Sequence, residues 1–177
     1  LLAPLNGARY PLVCSLDLTS RCNLDCLHCY IKRAYLPTVN ASEMSTSQVI
    51  WLLDEMTAAG TFFLLITGGE PLLRQDFAEI YTHAKQRGML INLFTNATLV
   101  TPVIADLLAD LRPHTIEVTL YGATAETYEK VTRVPGSYDR CRRGIDLLME
   151  RGQTLSLKNV QLTINKHELE DMKKLAS

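Results

Sequence analysis

The stretch Thr19-Ser20-Arg21-Cys22-Asn23-Leu24-Asp25-Cys26-Leu27-His28-Cys29-Tyr30 places three cysteines within eight residues, directly after an apolar, strand-like segment. Soft thiolate ligands at this density favour zinc or an iron–sulfur cluster. An iron–sulfur cubane normally takes four thiolates, and this stretch supplies three. The spacing therefore predicts a metal centre with one coordination position left open, as in catalytic zinc sites.

Two other interpretations of these cysteines remain open. Together with His28 they would make a Cys3His zinc site, although structural zinc sites usually place two ligand pairs on separate turns a dozen or more residues apart. They would otherwise be reduced thiols of a cytosolic protein. The chain has five cysteines, an odd number with three of them clustered, which argues against a disulfide framework. Cys14 and Cys141 lie in apolar patterns and are predicted to be small core residues.

Length and charge limit the function classes. A chain of 177 residues that is 47% hydrophobic can bury one substantial core, so residues 1–177 are predicted to form one domain. A formal net charge of −1 gives no electrostatic sign of a nucleic acid or an anionic membrane as partner. The longest strongly apolar run, Phe62 to Ile66, is too short to span a bilayer, and no signal-peptide pattern opens the chain. These features predict a soluble, cytoplasmic protein without a membrane or nucleic-acid partner.

Short apolar segments alternate with helical periodicity along the whole chain, which predicts a parallel α/β fold. The predicted strands are Val13–Leu18, Thr61–Ile66, Leu90–Phe94, Thr115–Leu120 and Leu155–Leu162. Helices are predicted from Ser45, Phe77, Thr101, Ala125, Ser137 and Glu168, with a capping box at Ser45 and Gln48 and a proline start at Pro102. The second strand is continuously apolar, as expected of a parallel strand covered on both faces. Five such units are too few to close an eight-stranded barrel.

The residues that follow the second strand are Thr67-Gly68-Gly69-Glu70-Pro71. In parallel α/β folds the chemistry lies at the carboxyl ends of the strands. Two glycines allow the backbone to approach a ligand closely, and a carboxylate beside them can bind an ammonium group. On its own, a Gly-Gly-Glu triplet is as well explained by a tight turn.

The Cys-x3-Cys-x2-Cys loop and the Gly-Gly-Glu triplet one helix later together resemble the radical S-adenosylmethionine (radical SAM) enzymes. The resemblance implies a partial parallel (β/α) barrel. It also implies a [4Fe–4S] cluster on Cys22, Cys26 and Cys29, whose open iron binds S-adenosylmethionine. In that family, the reduced cluster cleaves this cosubstrate to a 5′-deoxyadenosyl radical, which abstracts hydrogen from a substrate. By the same resemblance, His28 lies next to the adenine, and Gly68, Gly69 and Glu70 lie at the methionine amino group.

A weaker resemblance extends along the chain. Thr95-Asn96-Ala97-Thr98-Leu99 is similar to the Thr-Asn-Gly-Thr-Leu turn of the subgroup that matures peptides and proteins and carries a C-terminal SPASM extension. Ala97 departs from that pattern. At the end of the fourth strand Thr119 keeps a hydroxyl that contacts S-adenosylmethionine in the family, whereas Tyr121 replaces an acid. The resemblance further implies that Arg133 meets the methionine carboxylate and that Asn96 and Tyr121 face the substrate.

What the resemblance implies for function is an oxidoreductase or maturase. Its substrate would be a peptide or protein that is crosslinked or oxidised, and its electron donor a flavodoxin or ferredoxin. A radical SAM enzyme of cofactor biosynthesis, of the tetrapyrrole or molybdopterin type, is an alternative with the same mechanism. A non-catalytic zinc-binding module is the alternative from another class.

The family barrel usually has six βα units, and the sequence shows five. We therefore expect the chain to be an incomplete radical SAM core domain, with the sixth unit and any SPASM domain outside it. An unfinished parallel sheet would leave an unpaired edge and an uncovered apolar face. The 177 residues alone are accordingly expected to bind iron poorly, to self-associate and not to turn over substrate.

Overall fold

The computed structural model describes residues 9–31 and 43–176, in which five parallel strands alternate with helices. The predicted domain of residues 1–177 thus includes positions 1–8, 32–42 and 177, which lie outside the described residues. The strands are β1 (Val13–Asp17), β2 (Phe63–Thr67), β3 (Leu90–Thr95), β4 (Thr115–Thr119) and β5 (Leu155–Lys158). The helices are α1 (Thr46–Ala58), α2 (Phe77–Gln86), α3 (Pro102–Asp110), α4 (Ala125–Thr132), α5 (Ser137–Glu150) and α6 (Leu169–Leu175), with short 3-10 helices at Pro71–Leu73 and Lys166–Glu168.

The sheet keeps the order of the chain, β1-β2-β3-β4-β5, and every neighbouring pair is parallel. Leu64 pairs with Ile91 in the register of β2 and β3, and Leu93 pairs with Ile116 in that of β3 and β4. The carboxyl ends of all five strands therefore lie along one edge. The predicted parallel α/β fold of about five units is confirmed.

One face of the sheet carries the hydrophobic core. Alternate residues of β2, β3 and β4 are fully buried there beneath the helices: Leu64, Ile66, Ile91, Leu93, Ile116 and Val118. Phe63 and Leu65 point to the opposite face and are only half-buried. In the part of the chain that the structure describes, β2 is therefore fully covered on one face and half covered on the other, which departs from the predicted coverage of both faces.

Local sequence signals set the helix ends as predicted. Ser45 accepts a hydrogen bond from the Gln48 N–H, and the Gln48 side chain accepts one from the Ser45 N–H at 2.8 Å. This reciprocal pair is a capping box at the start of α1. Thr101 caps α3 by accepting from the Ile104 N–H, and Pro102 follows at the first helical position.

The fifth strand is shorter than predicted, because it ends at Lys158 instead of continuing to Leu162. The buried side chain of Asn165 organises the segment after it. Its carbonyl oxygen accepts from the Leu162 N–H at 2.7 Å, and its amide donates to the Tyr121 and Val160 carbonyl oxygens, each at 3.0 Å. These bonds turn the chain away from the sheet.

The two cysteines outside the clustered loop differ in burial. Cys141 is fully buried within the core, as predicted, and burial raises the pKa of its thiol to about 11. Cys14 is half-buried on β1, with its sulfur 3.2 Å from the Thr61 hydroxyl. Within residues 9–31 and 43–176, no helix has both the length and the apolar character needed to cross a membrane.

Candidate functional site

A cavity of about 250 Å³ opens at the carboxyl ends of the first four strands. Its volume is just below the range of roughly 300–1,000 Å³ that is common for small-molecule pockets. The loop after β1 forms one wall and the ends of β2, β3 and β4 form the other. The lining residues are Cys22, Leu24, Cys26, His28, Cys29, Tyr30, Ile31, Thr67, Gly68, Gly69, Phe94, Thr95, Asn96, Thr119 and Tyr121.

All three clustered cysteines line this cavity, and each is half-buried. Backbone bonds fix the loop that carries them: the Asp25 N–H donates to the Thr132 carbonyl at 2.9 Å, and the Leu27 N–H donates to the Val131 carbonyl at 3.0 Å. The end of α4 therefore holds the middle of the loop. Among the residues that the structure describes, no three cysteine, histidine or carboxylate side chains converge as ligands of a single ion.

The two glycines after β2 are required by a close approach of two chain segments. The Gly69 N–H donates to the Thr19 carbonyl at 2.7 Å, and the Glu70 N–H donates to the Arg21 carbonyl at 2.9 Å. A Cβ at Gly69 would overlap the Arg21 carbonyl oxygen, and one at Gly68 would overlap that of Thr19. The sequence interpretation assigned the glycines to a ligand. In the structure they line the cavity and also let the turn pack directly on the cysteine loop.

The carboxylate of Glu70 lies beneath this turn and is fully buried. One of its oxygens accepts from the Thr95 hydroxyl at 2.8 Å and the Leu72 N–H at 3.1 Å, and the other accepts from the Asn96 N–H at 2.7 Å. Burial raises the pKa of Glu70 to about 7, although these three bonds favour the charged form. Glu70 thus joins the turn after β2 to the end of β3. Its contact with a methionine amino group stays a prediction.

The rings of His28 and Tyr121 are in direct contact in the cavity lining, with centroids 4.9 Å apart in an edge-to-face arrangement. Burial lowers the pKa of His28, so its imidazole is neutral at physiological pH. Among residues 9–31 and 43–176, the buried Nδ1 atom of His28 finds no hydrogen-bond partner. Burial raises the pKa of Tyr121, which keeps its phenol protonated.

The remaining predicted residues separate into two groups. Thr119 and Asn96 line the cavity beside the cysteines. Arg133 does not: its side chain is 56% exposed beyond the end of α4, and its guanidinium lies 3.5 Å from the Asp25 carboxylate. This arrangement does not test the predicted contact of Arg133 with the methionine carboxylate, which stays a prediction.

Sequence reasoning did not single out Phe94, Thr67 or Thr95 as cavity residues. Phe94 lies on the half-buried face of β3, with the Lys158 ammonium 5.9 Å from its ring centroid. That ammonium also lies 2.9 Å from the Glu117 carboxylate. The alternation of side chains along a strand was the available signal for Thr67 and Phe94, which lie on the half-buried faces of their strands. Thr95 lies on the opposite, buried face of β3, so this alternation does not identify it.

A family model described as the Radical SAM superfamily matches residues 16–176 of this chain. The AdoMet-dependent heme synthase of Methanosarcina barkeri is 33% identical over 164 residues, which are 93% of this chain and 46% of the relative. The mycofactocin maturase MftC of Mycolicibacterium smegmatis is 31% identical over 172 residues, which are 97% of this chain and 43% of the relative. The chain therefore spans less than half the length of these curated relatives.

Solved structures share the fold at low sequence identity. The crystal structure of Streptococcus suis SuiB superposes with a TM-score of 0.78 at 17% identity and covers 93% of this chain and 36% of its own. The same protein bound to S-adenosylmethionine gives 0.72 at 20% identity, with 92% and 36% covered. SuiB has also been solved bound to the precursor peptide SuiA. At these identities the likeness shows the fold alone.

Proposed function

We propose, because this chain belongs to the radical SAM superfamily, that its cysteine loop holds a [4Fe–4S] cluster and that the adjoining cavity binds S-adenosylmethionine. The superfamily is one of enzymes, and the curated relatives are named as a synthase and a maturase. The single observation that carries the proposal is that Cys22, Cys26 and Cys29 line one cavity together with the Gly68-Gly69 turn.

The side chains present suit these groups. Three thiols are one fewer than a cubane normally takes, which leaves one iron position for a small molecule. The unpartnered Nδ1 atom of His28 offers a polar contact inside the cavity, where it is otherwise costly to bury. When bound, the cluster supplies the electron for reductive cleavage of S-adenosylmethionine to a 5′-deoxyadenosyl radical.

The chain itself positions and shields the cosubstrate. Gly68 and Gly69 present backbone to the cavity because Glu70 holds their turn from below. We assign Thr119 a hydrogen bond to the cosubstrate and His28 a place beside its adenine. Tyr121 closes the same wall with a ring that is 8% exposed and so excludes water from it. Arg133 would need to leave Asp25 to reach a carboxylate in the cavity.

A peptide or protein undergoing maturation is the proposed substrate. It is supported by the relationship to a mycofactocin maturase at 31% identity over 97% of this chain. A tetrapyrrole is the second candidate, because a heme synthase is related at 33% identity over a similar share of the chain. The proposed electron donor is a flavodoxin or ferredoxin.

The test is anaerobic reconstitution with iron and sulfide of the protein in the full length in which the organism makes it. Cys22→Ala, Cys26→Ala and Cys29→Ala should each abolish the broad visible absorption of iron–thiolate ligation, whereas Cys14→Ala and Cys141→Ala should keep it. Reduction in the presence of S-adenosylmethionine should then release 5′-deoxyadenosine. A wild-type protein that binds zinc and no iron, or a Cys26→Ala variant with full iron and cleavage, would contradict the proposal.

A further inference from the structure

The side chains of Asn96, Asn23 and Thr98 form a closed ring of hydrogen bonds beside Cys22. The Asn96 amide nitrogen donates to the Asn23 Oδ1 atom at 3.0 Å, and the Asn23 amide donates to the Thr98 hydroxyl at 2.7 Å. That hydroxyl donates in turn to the Asn96 Oδ1 atom at 2.6 Å. Asn96 and Thr98 are 7% and 6% exposed, so the ring is closed to bulk water on the β3 side.

The direction of these bonds determines which end of the Asn96 amide faces the cysteine. The Thr98 backbone N–H can only donate, and it donates to the Asn96 Oδ1 atom at 2.9 Å. The carbonyl end of Asn96 must therefore point at Thr98, and the NH2 end must point the other way. That NH2 group lies 3.9 Å from the Cys22 sulfur, at the long end for a hydrogen bond to sulfur.

The backbone of Asn96 is fixed as firmly as its side chain. Its N–H donates to the buried Glu70 carboxylate at 2.7 Å, and the neighbouring Thr95 hydroxyl donates to the same group. Ala97 follows with a left-handed φ of 58°, which turns the chain back on itself. Asn96 therefore presents one N–H of its amide to Cys22 from a rigid support.

We propose that Asn96 is a positioning residue that donates a hydrogen bond to the Cys22 sulfur and so raises the reduction potential of the cluster held by the loop. Hydrogen bonds to cluster sulfurs are among the factors that set such potentials. A donor stabilises the additional negative charge of the reduced state, and burial strengthens this effect. The inference rests on the proposed function, because it requires a cluster on Cys22.

If the ring had a purely structural role, removal of the Asn96 N–H would leave the reduction potential of the cluster unchanged. Three variants separate that role from the proposed hydrogen bond. Asn96→Asp keeps an oxygen for the two Thr98 donors but places a second carboxylate oxygen where the amide N–H faced the sulfur. Asn96→Ala removes the donor without adding charge. Asn92→Ala is the matched control, because Asn92 lies on the same strand and its side chain is bonded to the Thr115 hydroxyl instead of to the cysteine loop.

The experiment is a redox titration of the reconstituted protein, followed by electron paramagnetic resonance, with iron content measured in parallel. We expect a more negative midpoint potential for Asn96→Ala and a larger shift in the same direction for Asn96→Asp, with the Asn92→Ala potential at the wild-type value. Wild-type potentials in both Asn96 variants at full iron content would overturn the inference. So would equal shifts in all three variants.

Two further outcomes are interpretable. If Asn96→Ala fails to fold or to hold iron, Asn96→Leu, which is close to asparagine in size and carries no charge, decides in its place by the sign of its shift. If the wild-type protein takes up no iron–sulfur cluster, the proposed function fails instead, and that result is distinct from an unshifted potential.

Discussion

At the scale of single residues, the buried carboxylate of Glu70 couples the candidate site to pH. Its pKa of about 7 in the folded chain lies above the ordinary value of 4.5. Folding therefore favours the protonated form, so this contribution to stability is complete below about pH 4.5 and is lost as the pH rises through 7. Glu168 shows the opposite behaviour. Burial acts to raise its pKa, but hydrogen bonds from Thr127 and Thr124 hold it below the usual range.

The first prediction is that Glu70 makes the metal-free chain less stable in weakly alkaline solution. The unfolding free energy of the wild type should fall by about 2–3 kcal/mol between about pH 5 and pH 8, relative to that of Glu70→Gln. The variant should be less stable at low pH, since its amide has a single acceptor oxygen and cannot accept from the donors on both sides of the carboxylate. Chemical denaturation at several pH values measures both quantities. Parallel pH profiles for the two proteins would show that Glu70 does not titrate in this range.

The second prediction concerns the contact between Ala97 and Gly144. A Cβ at Gly144 would overlap the Ala97 carbonyl oxygen, so Gly144→Ala should cost about 3 kcal/mol of stability. Ala97→Gly should stay within about 1 kcal/mol of the wild type, because relief of the left-handed backbone offsets the loss of a buried methyl group. Thermal unfolding of both variants tests this ordering. A Gly144→Ala protein as stable as the wild type would contradict the packing described.

At the scale of elements, Glu168 fastens the segment after β5 to the start of α4. Its carboxylate accepts from the Ala123 N–H at 2.6 Å, the Thr124 N–H at 3.1 Å and the hydroxyls of Thr124 and Thr127. The four donors belong to the loop that follows β4 and to the first turn of α4, and this loop also carries Tyr121 of the cavity wall. The last described segment therefore supports the site from outside it.

The third prediction follows from this contact. Glu168→Ala should destabilise the chain by about 2–3 kcal/mol, because several buried donors lose their acceptor. Glu170→Ala is the control, since its carboxylate is exposed and bonded to the nearby exposed Lys173, and we expect little change from it. Hydrogen exchange should show faster exchange of the amides at the start of α4 in Glu168→Ala alone. Equal stabilities of the two variants would contradict the role assigned to Glu168.

The sequence predicted those elements whose signals are local. Two helix starts show this: the capping box of Ser45 and Gln48, and the start at Pro102. Each involves residues at most three positions apart, so it can be recognised in the sequence before the fold is known. The internal role of Glu70 was not predictable, because its partner Asn96 comes from a separate strand. The position of Arg133 in the chain suggested that it lies near the site. The direction of its side chain, which does not line the cavity, could not be predicted from the sequence. The three cysteines were found because their spacing alone defines the loop.

At the scale of the whole molecule, the described sheet has unpaired strand edges and incompletely buried apolar side chains. In the part of the chain that the structure describes, β5 pairs with β4 alone, and β1 pairs with β2 alone. Phe63 and Leu65, on the face of β2 opposite the core, are half-buried, and Val160 and Met149 are exposed large apolar residues. Unpaired strand edges and open apolar faces promote association with other chains.

The fourth prediction is that the 177 residues made alone will self-associate and cleave little S-adenosylmethionine. Size-exclusion chromatography over a range of concentrations and an assay for 5′-deoxyadenosine measure these properties. Elution should shift to larger sizes as the concentration rises. A concentration-independent monomer with full cleavage activity would show that the described sheet is sufficient.

The strictly sequential order of the strands also bears on how the chain acquires its structure during synthesis. Each strand pairs with its immediate predecessor, so no strand must wait for a distant partner or insert between two others. Loop closure between successive units therefore costs little conformational entropy. Folding can advance from the amino-terminal side as the ribosome releases the chain. All residues that line the cavity fall between Cys22 and Tyr121. The cavity walls can thus assemble on the nascent chain before β5 has emerged.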